Sequence, residues 1–196
     1  MNFEVIHEAK SNNNPSGDAF FVSQDAPWLM LLADGLGSGD KAKYAANLAV
    51  YLFEEYCQGS SNRRTNIFPD LLINCHQKLK RSRGAALGGV ILDNDNKQLF
   101  FCGVGNIRLV LAGNTRKCFC SQPGIVGAQL PRRITLKAVS TQAYSTGFLF
   151  SDGISLRSVL RTAENPFRPL SLLAEEINWL NGNSDDKTLI VFEINE

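Results

Sequence analysis

Twice along the chain an apolar run ends in an Asp-Gly pair: WLMLLADGLGSG at 28–39 and GFLFSDGIS at 147–155. A strand that stops on aspartate sets a carboxylate at the end of a sheet. The glycine after it lets other backbone approach without side-chain bulk. Asp34-Gly35 and Asp152-Gly153 both have this form, Gly17-Asp18 opens another predicted strand, and Asp185-Asp186 opens the last one. Carboxylates, a backbone carbonyl and water are the ligands that hard divalent cations prefer. Two such ions about 4 Å apart can hold a hydroxide and clamp an attacked phosphate. Asp-Gly is also ordinary turn chemistry, and one pair alone would carry nothing. Acids at four strand boundaries, with two near-copies among them, point to a metal site.

Other chemistries fare worse. The glycines of GLGSGDK sit between a predicted strand and a predicted helix, as a phosphate cradle would. Their spacing is neither G-x-x-x-x-G-K-[ST] nor G-x-G-x-x-G, and Asp34 and Asp40 would flank a bound phosphate with negative charge. A nucleotide-binding protein would also need a strand-helix rhythm that is missing downstream. His7 and His76 are the only histidines, so Ser-His-Asp or Cys-His catalysis has little to work with. His76 lies in an amphipathic stretch and reads as a surface or structural residue. CFC at 118–120 puts two thiols on one strand face, but no further Cys pair or His joins them as a soft-metal site. A partly buried strand is the simpler reading.

The elements that must position these acids follow from periodicity. FEVIHEA (3–9) alternates weakly as a strand, and SNNNPSGD (11–18) is turn-rich. AFFVS and PWLMLLA read as a hairpin across QDA. From Asp40 to Cys57 the period becomes helical: Ala42, Ala45, Ala46, Leu48, Ala49, Leu52, Phe53 and Tyr56 form one stripe, with Asp40 as N-cap or first-turn acid. A second helix is expected over 65–81, capped by Thr65 or Asn66, with Pro69 in its first turn. Strands follow at 85–93, 97–105, 107–113 and 116–121, then in RRITLKAVST and STGFLFSD. Helical stretches at 155–162 and 167–180 precede a closing strand, KTLIVFEI. Hairpin-linked strands with clustered helices give an α+β fold with mostly antiparallel sheets.

The 196 residues suffice for one compact domain, and 44% hydrophobic with 20% charged residues is ordinary globular usage. A net charge of +1 asks for neither nucleic acid nor an acidic membrane. The N-terminus lacks the basic start and apolar core of a signal peptide, and no apolar run could span a bilayer. Five cysteines in no regular framework suit a reducing cytoplasm.

SGDAFFV, LLADGLGSGDKA, CGVGNIRLVL, FLFSDGIS and SDDKTLIVFEI, in that order, resemble the motifs of the PPM-type metal-dependent serine/threonine protein phosphatases. The match is best with the small, sporulation-phosphatase-like bacterial branch. It covers nearly the whole chain, as a single domain over 1–196. The resemblance implies a four-layer α-β-β-α sandwich with two Mn2+ (or Mg2+) ions at one end of the sheets. Matched motif by motif, Asp18 would hold one metal, Asp34 would bridge both, the Gly35 carbonyl would bind one, and Asp152 and Asp185 would complete the set. Asp186 is the neighbouring alternative to Asp185. Asp34 and Asp152 are the expected catalytic positions. A metal-bridging hydroxide would attack phosphorus in line, with no phosphoenzyme. Gly37 and Gly39 would keep the adjoining loop narrow. The implied partner is a phosphorylated regulatory protein, of stressosome-scaffold or anti-sigma-antagonist type, met by a cytoplasmic monomer.

The chain also departs from that pattern. Leu36 stands where many larger members have the histidine of DGHG, which excludes a histidine acid there. GAALGGV (84–90) lacks the threonines of the corresponding strand. No arginine matches the phosphate-gripping arginine of some eukaryotic members. KLKRSRG (78–84) and PRR (131–133) are the densest basic clusters; solvated faces account for them, and steering of an acidic phosphorylated partner is the functional alternative. A phosphoprotein-binding module without catalysis is the competing reading of the same fold.

Overall fold

The computed structural model describes residues 1–10, 15–59, 67–182 and 185–194. The elements run β1 (Phe3–Glu8), β2 (Asp18–Val22), β3 (Trp28–Gly35), α1 (Asp40–Gly59), α2 (Ile67–Leu79), β4 (Ala85–Asp93), β5 (Gln98–Val104), β6 (Arg108–Gly113), β7 (Arg116–Cys120), β8 (Lys137–Ser140), β9 (Tyr144–Phe150), α3 (Leu156–Thr162), α4 (Leu170–Asn181) and β10 (Lys187–Glu193). One five-stranded sheet has the order β1-β10-β9-β6-β7 and the other β2-β3-β4-β5-β8. Their pairings are antiparallel.

The layers follow from which side chains alternate where. Met30 and Leu32 of β3 pack with Leu149 of β9 and Ile190 of β10 between the sheets. Leu29, Leu31 and Ala33 pack outward against α1 and α2. Phe148 and Phe150 of β9 do the same under α3 and α4. Strands buried on both faces read as unbroken apolar runs, which is why WLMLLA and GFLF show no alternation. The result is the expected α+β sandwich of four layers, helices outside and two mostly antiparallel sheets within.

Both Asp-Gly glycines are packing requirements. A Cβ on Gly35 would lie 2.0 Å from the Ala42 carbonyl oxygen, because α1 presses its buried Ala42 and Ala45 onto the end of β3. A Cβ on Gly153 would lie 2.0 Å from the Asp186 carbonyl oxygen, where β9 ends beside the start of β10. Gly35→Ala is therefore expected to destabilise by about 3 kcal/mol through forced overpacking. A lowered urea midpoint would register it; an unchanged midpoint would show that α1 yields freely.

Several expectations are corrected. Tyr56 is not in the core stripe of α1; it stays exposed while Cys57, one residue on, is buried. RRITLKAVST is mostly loop, and only Lys137–Ser140 pairs, as the edge strand β8 beside β5. CFC lies in a partly buried strand as expected, with Phe119 turned inward and Cys118 and Cys120 exposed. His76 is structural, in line with expectation: its Nδ1 accepts a hydrogen bond from the Gly127 N–H at 3.0 Å. Thr65, Asn66 and residues 11–14 of the SNNNPSGD turn lie outside the described residues. Among the described residues no helix is long and apolar enough to cross a membrane.

Candidate functional site

The predicted acids come together because strand direction and pleat agree. Asp18 pairs with Asp34 in the β2–β3 register, and β3 runs antiparallel to β2. Asp34 follows Met30 and Leu32 at the two-residue period, and so falls on the inter-sheet side of its strand. In the other sheet Asp152 lies just past β9, while Asp185 and Asp186 lie just before the antiparallel β10. All the acids thus stand at one end of the sandwich. Asp34, Asp152, Asp185 and Asp186 line a cavity of about 410 Å³, with Leu36, Gly37 and Asn106.

Asp18 does not line that cavity. Only 4% exposed, it forms the wall behind. Its Oδ2 accepts hydrogen bonds from the Ser151 hydroxyl at 2.7 Å and the Thr188 hydroxyl at 2.8 Å. These donors come from the residue just past β9 and from β10, so the contact ties the two sheets together at the site. His7 Nδ1 meets Thr188 Oγ1 at 2.9 Å and extends the network. Burial raises the Asp18 carboxyl to about 6, although both hydroxyls oppose the shift. Asp34 is pushed up to about 7, first by burial and then by the charges of Asp18 and Asp152. Crowded carboxylates with too little positive charge among them are what a cation site looks like from the protein side.

The choice between the two adjacent acids also has a geometric basis. Both Asp186 oxygens are engaged by backbone: Oδ1 by the Lys10 N–H and Oδ2 by the Gly17 N–H, each at 2.7 Å. Asp186 holds the approach to β2 in place. Asp185 is exposed, accepts one hydrogen bond from the Asp186 N–H and has Lys10 Nζ at 4.0 Å. Asp185 is thus the freer carboxylate. Gly35 ends β3 directly after Asp34, and its N–H bonds the Gly17 carbonyl at 3.0 Å.

Asn106 is the residue the motif reading passed over. Its amide donates to Asp152 Oδ2 at 2.7 Å and to Asp34 Oδ2 at 3.2 Å, linking acids from opposite sheets. It sits in the quoted CGVGNIR, between β5 and β6, and an acid-only search could not register it. Nor did the sequence show the Ser151 and Thr188 hydroxyls, which stand beside the acids in FSDG and DDKT.

The donor set suits hard divalent cations: carboxylates, an adjoining backbone carbonyl and an open aqueous cavity. It is not a closed cage. Among the described residues no three His, Cys, Asp or Glu side chains already stand around one point as metal ligands. The Asn106 amide instead supplies positive hydrogen-bond ends between Asp34 and Asp152. Ligation by both acids would require it to yield some of that contact.

Fold and acidic end together define the class: the chain has the PPM-type phosphatase fold. No family model matches it. Its sequence is similar to the phosphoserine phosphatase RsbX of Bacillus subtilis strain 168, with 25% identity over 197 residues, covering 94% of this chain and 90% of that protein. A crystal structure of RsbX in complex with magnesium superposes with a TM-score of 0.83 at 21% identity, over 98% of this chain and 94% of that one. A chain solved in work on the bacterial stressosome, described there as a modular system adapted to control secondary messenger signalling, gives a TM-score of 0.81 at 24% identity over 96% of both chains. The chain is RsbX-like.

Proposed function

We propose that this protein hydrolyses phosphoserine or phosphothreonine on a phosphorylated regulatory protein, as one PPM-type phosphatase domain over 1–196. One observation carries the reading: Asp34, Asp152 and Asp185, from both sheets, line one open cavity at the end of this fold. The similarity to a phosphoserine phosphatase and to a chain solved in work on the bacterial stressosome supports a stress-signalling partner, of stressosome-scaffold or anti-sigma-antagonist type.

Asp34, the Gly35 carbonyl, Asp152 and Asp185 would hold the divalent ions, with Asp18 behind them. When bound, manganese or magnesium would supply a hydroxide at neutral pH and neutralise phosphoryl oxygens. The chain's own work is then positional. Ser151 and Thr188 fix Asp18, Asp186 fixes the loop before β2, and α1 packed on Gly35 fixes Asp34. Leu36 at the rim carries no proton, so the leaving serine oxygen takes its proton from water.

Phosphate release from a phosphoserine peptide should require Mn2+ or Mg2+ and stop with chelator. The open arrangement held by Asn106 favours a second reading, a phosphoprotein-binding module without turnover. Metal-dependent release would dismiss it. Peptide binding with no release under any metal would dismiss the phosphatase.

A further inference from the structure

Beside the acidic cavity stands a cationic side chain from the KLKRSRG cluster, in addition to Lys10 at Asp185. Arg83 lies in the turn between α2 and β4. An ideal Cβ on Gly37 would stand 2.5 Å from Arg83 Nη1, so the guanidinium lies directly over Gly37. Gly37 lines the cavity together with Asp34, Asp152 and Asp185. It also has φ of +94°, so its conformation and its missing side chain both favour glycine.

The backbone around Arg83 is held on both sides. Ser82 Oγ donates to the Leu79 carbonyl at 2.8 Å and accepts the Gly84 N–H at 3.0 Å. The Gly84 carbonyl accepts the Leu36 N–H at 3.0 Å and joins this turn to the loop at the cavity's rim. The side chain itself is exposed and forms no hydrogen bond or ion pair with any described residue. A guanidinium beside acids would ordinarily be spent on one of them. Arg83 is left uncommitted.

We infer that Arg83 binds the phosphoryl group of the substrate, a protein phosphomonoester, as it enters the cavity. This deepens the phosphatase reading and rests on it for the substrate class. Guanidinium presents a planar fork of donors that matches two phosphoryl oxygens, and charge-assisted pairs of this kind are the strong ones. The acids behind it would repel a bare dianion. A cation at the rim offsets that repulsion where the substrate first arrives. The residue comes from the turn between α2 and β4, at the end of the KLKRSRG cluster.

The test uses the full chain with Mn2+ and one peptide in its phosphoserine and serine forms. Binding is read by calorimetry and turnover by phosphate release, for wild type, Arg83→Ala, Arg83→Lys and the neighbouring Arg81→Ala. Arg83→Ala should weaken phosphopeptide binding and raise KM about ten- to a hundredfold, with a smaller change in kcat. Arg83→Lys should recover part of the loss, and Arg81→Ala should stay near wild type. Equal losses in Arg81→Ala and Arg83→Ala, or none in either, would overturn the assignment and leave phosphatase activity standing. Binding that depends on Arg83 without turnover would keep the assignment and remove the enzyme. Loss of both binding and turnover in wild type would remove both.

Discussion

Asp34→Asn should lower manganese-dependent phosphate release by about a thousandfold or more, while making the metal-free protein more stable above neutral pH. The two effects have one cause. Asp34 is largely buried and faces the charges of Asp18 and Asp152, which hold its carboxyl up at about 7. In the unfolded chain the same group titrates near 4, roughly the model-peptide value. Between those values the native state keeps a proton that the unfolded state has released. Stability from this group is therefore lost as pH rises through that window, and the full penalty applies above about pH 7. Asparagine is neutral throughout. With chelator present, the variant should gain on wild type between pH 5 and pH 8, on the order of 2 kcal/mol after allowing for solvent at the cavity. Thermal melts across that range would show the two curves diverging. Parallel curves would mean that the site's acids are not in electrostatic conflict. Asp152→Asn should lose activity comparably, being the carboxylate on the facing sheet.

The apolar pattern made most of this arrangement legible. Unbroken apolar runs, buried on both faces, marked β3 and β9, and the 3.6-residue period marked α1 and α2. The acids were legible for a related reason: each lies at a boundary where an apolar run stops, and only a sheet end offers that setting. What stayed hidden depended on partners far away in the sequence. Nothing local distinguishes Asp186, tied to two backbone N–H groups, from Asp185, which is free to face the cavity. The wall position of Asp18 follows from hydroxyls just past β9 and on β10, 133 and 170 residues away. Arg83 reaches the rim only because the Gly84 carbonyl bonds the Leu36 N–H. The overextended strand in RRITLKAVST failed differently. Alternation there is real, but β5 offers pairing only to Lys137–Ser140.

Asn106→Asp should move metal-free and metal-loaded stability in opposite directions. In the metal-free protein the Asn106 amide does the work of a weak cation, donating to Asp152 at 2.7 Å and Asp34 at 3.2 Å. Aspartate would remove both donated bonds and set a further carboxylate between two existing ones. Like charges at such separations raise one another's pKa and destabilise the folded state. The melting temperature in chelator should drop by roughly 3 °C, as a loss of about 1 kcal/mol does for a domain of this size. Added Mn2+ should then stabilise the variant more than wild type, because hard cations bind more tightly as carboxylate count rises. About tenfold tighter apparent binding should appear as a midpoint shift in a melting-temperature titration against Mn2+. Asn106→Ala separates the two contributions: it loses the bridge without adding charge, and should fall in chelator with no gain in Mn2+ response beyond that of an unbridged site. If Asp and Ala variants responded alike to Mn2+, position 106 would lie outside the reach of the ions, and its amide would serve only to hold two acids from opposite sheets in register.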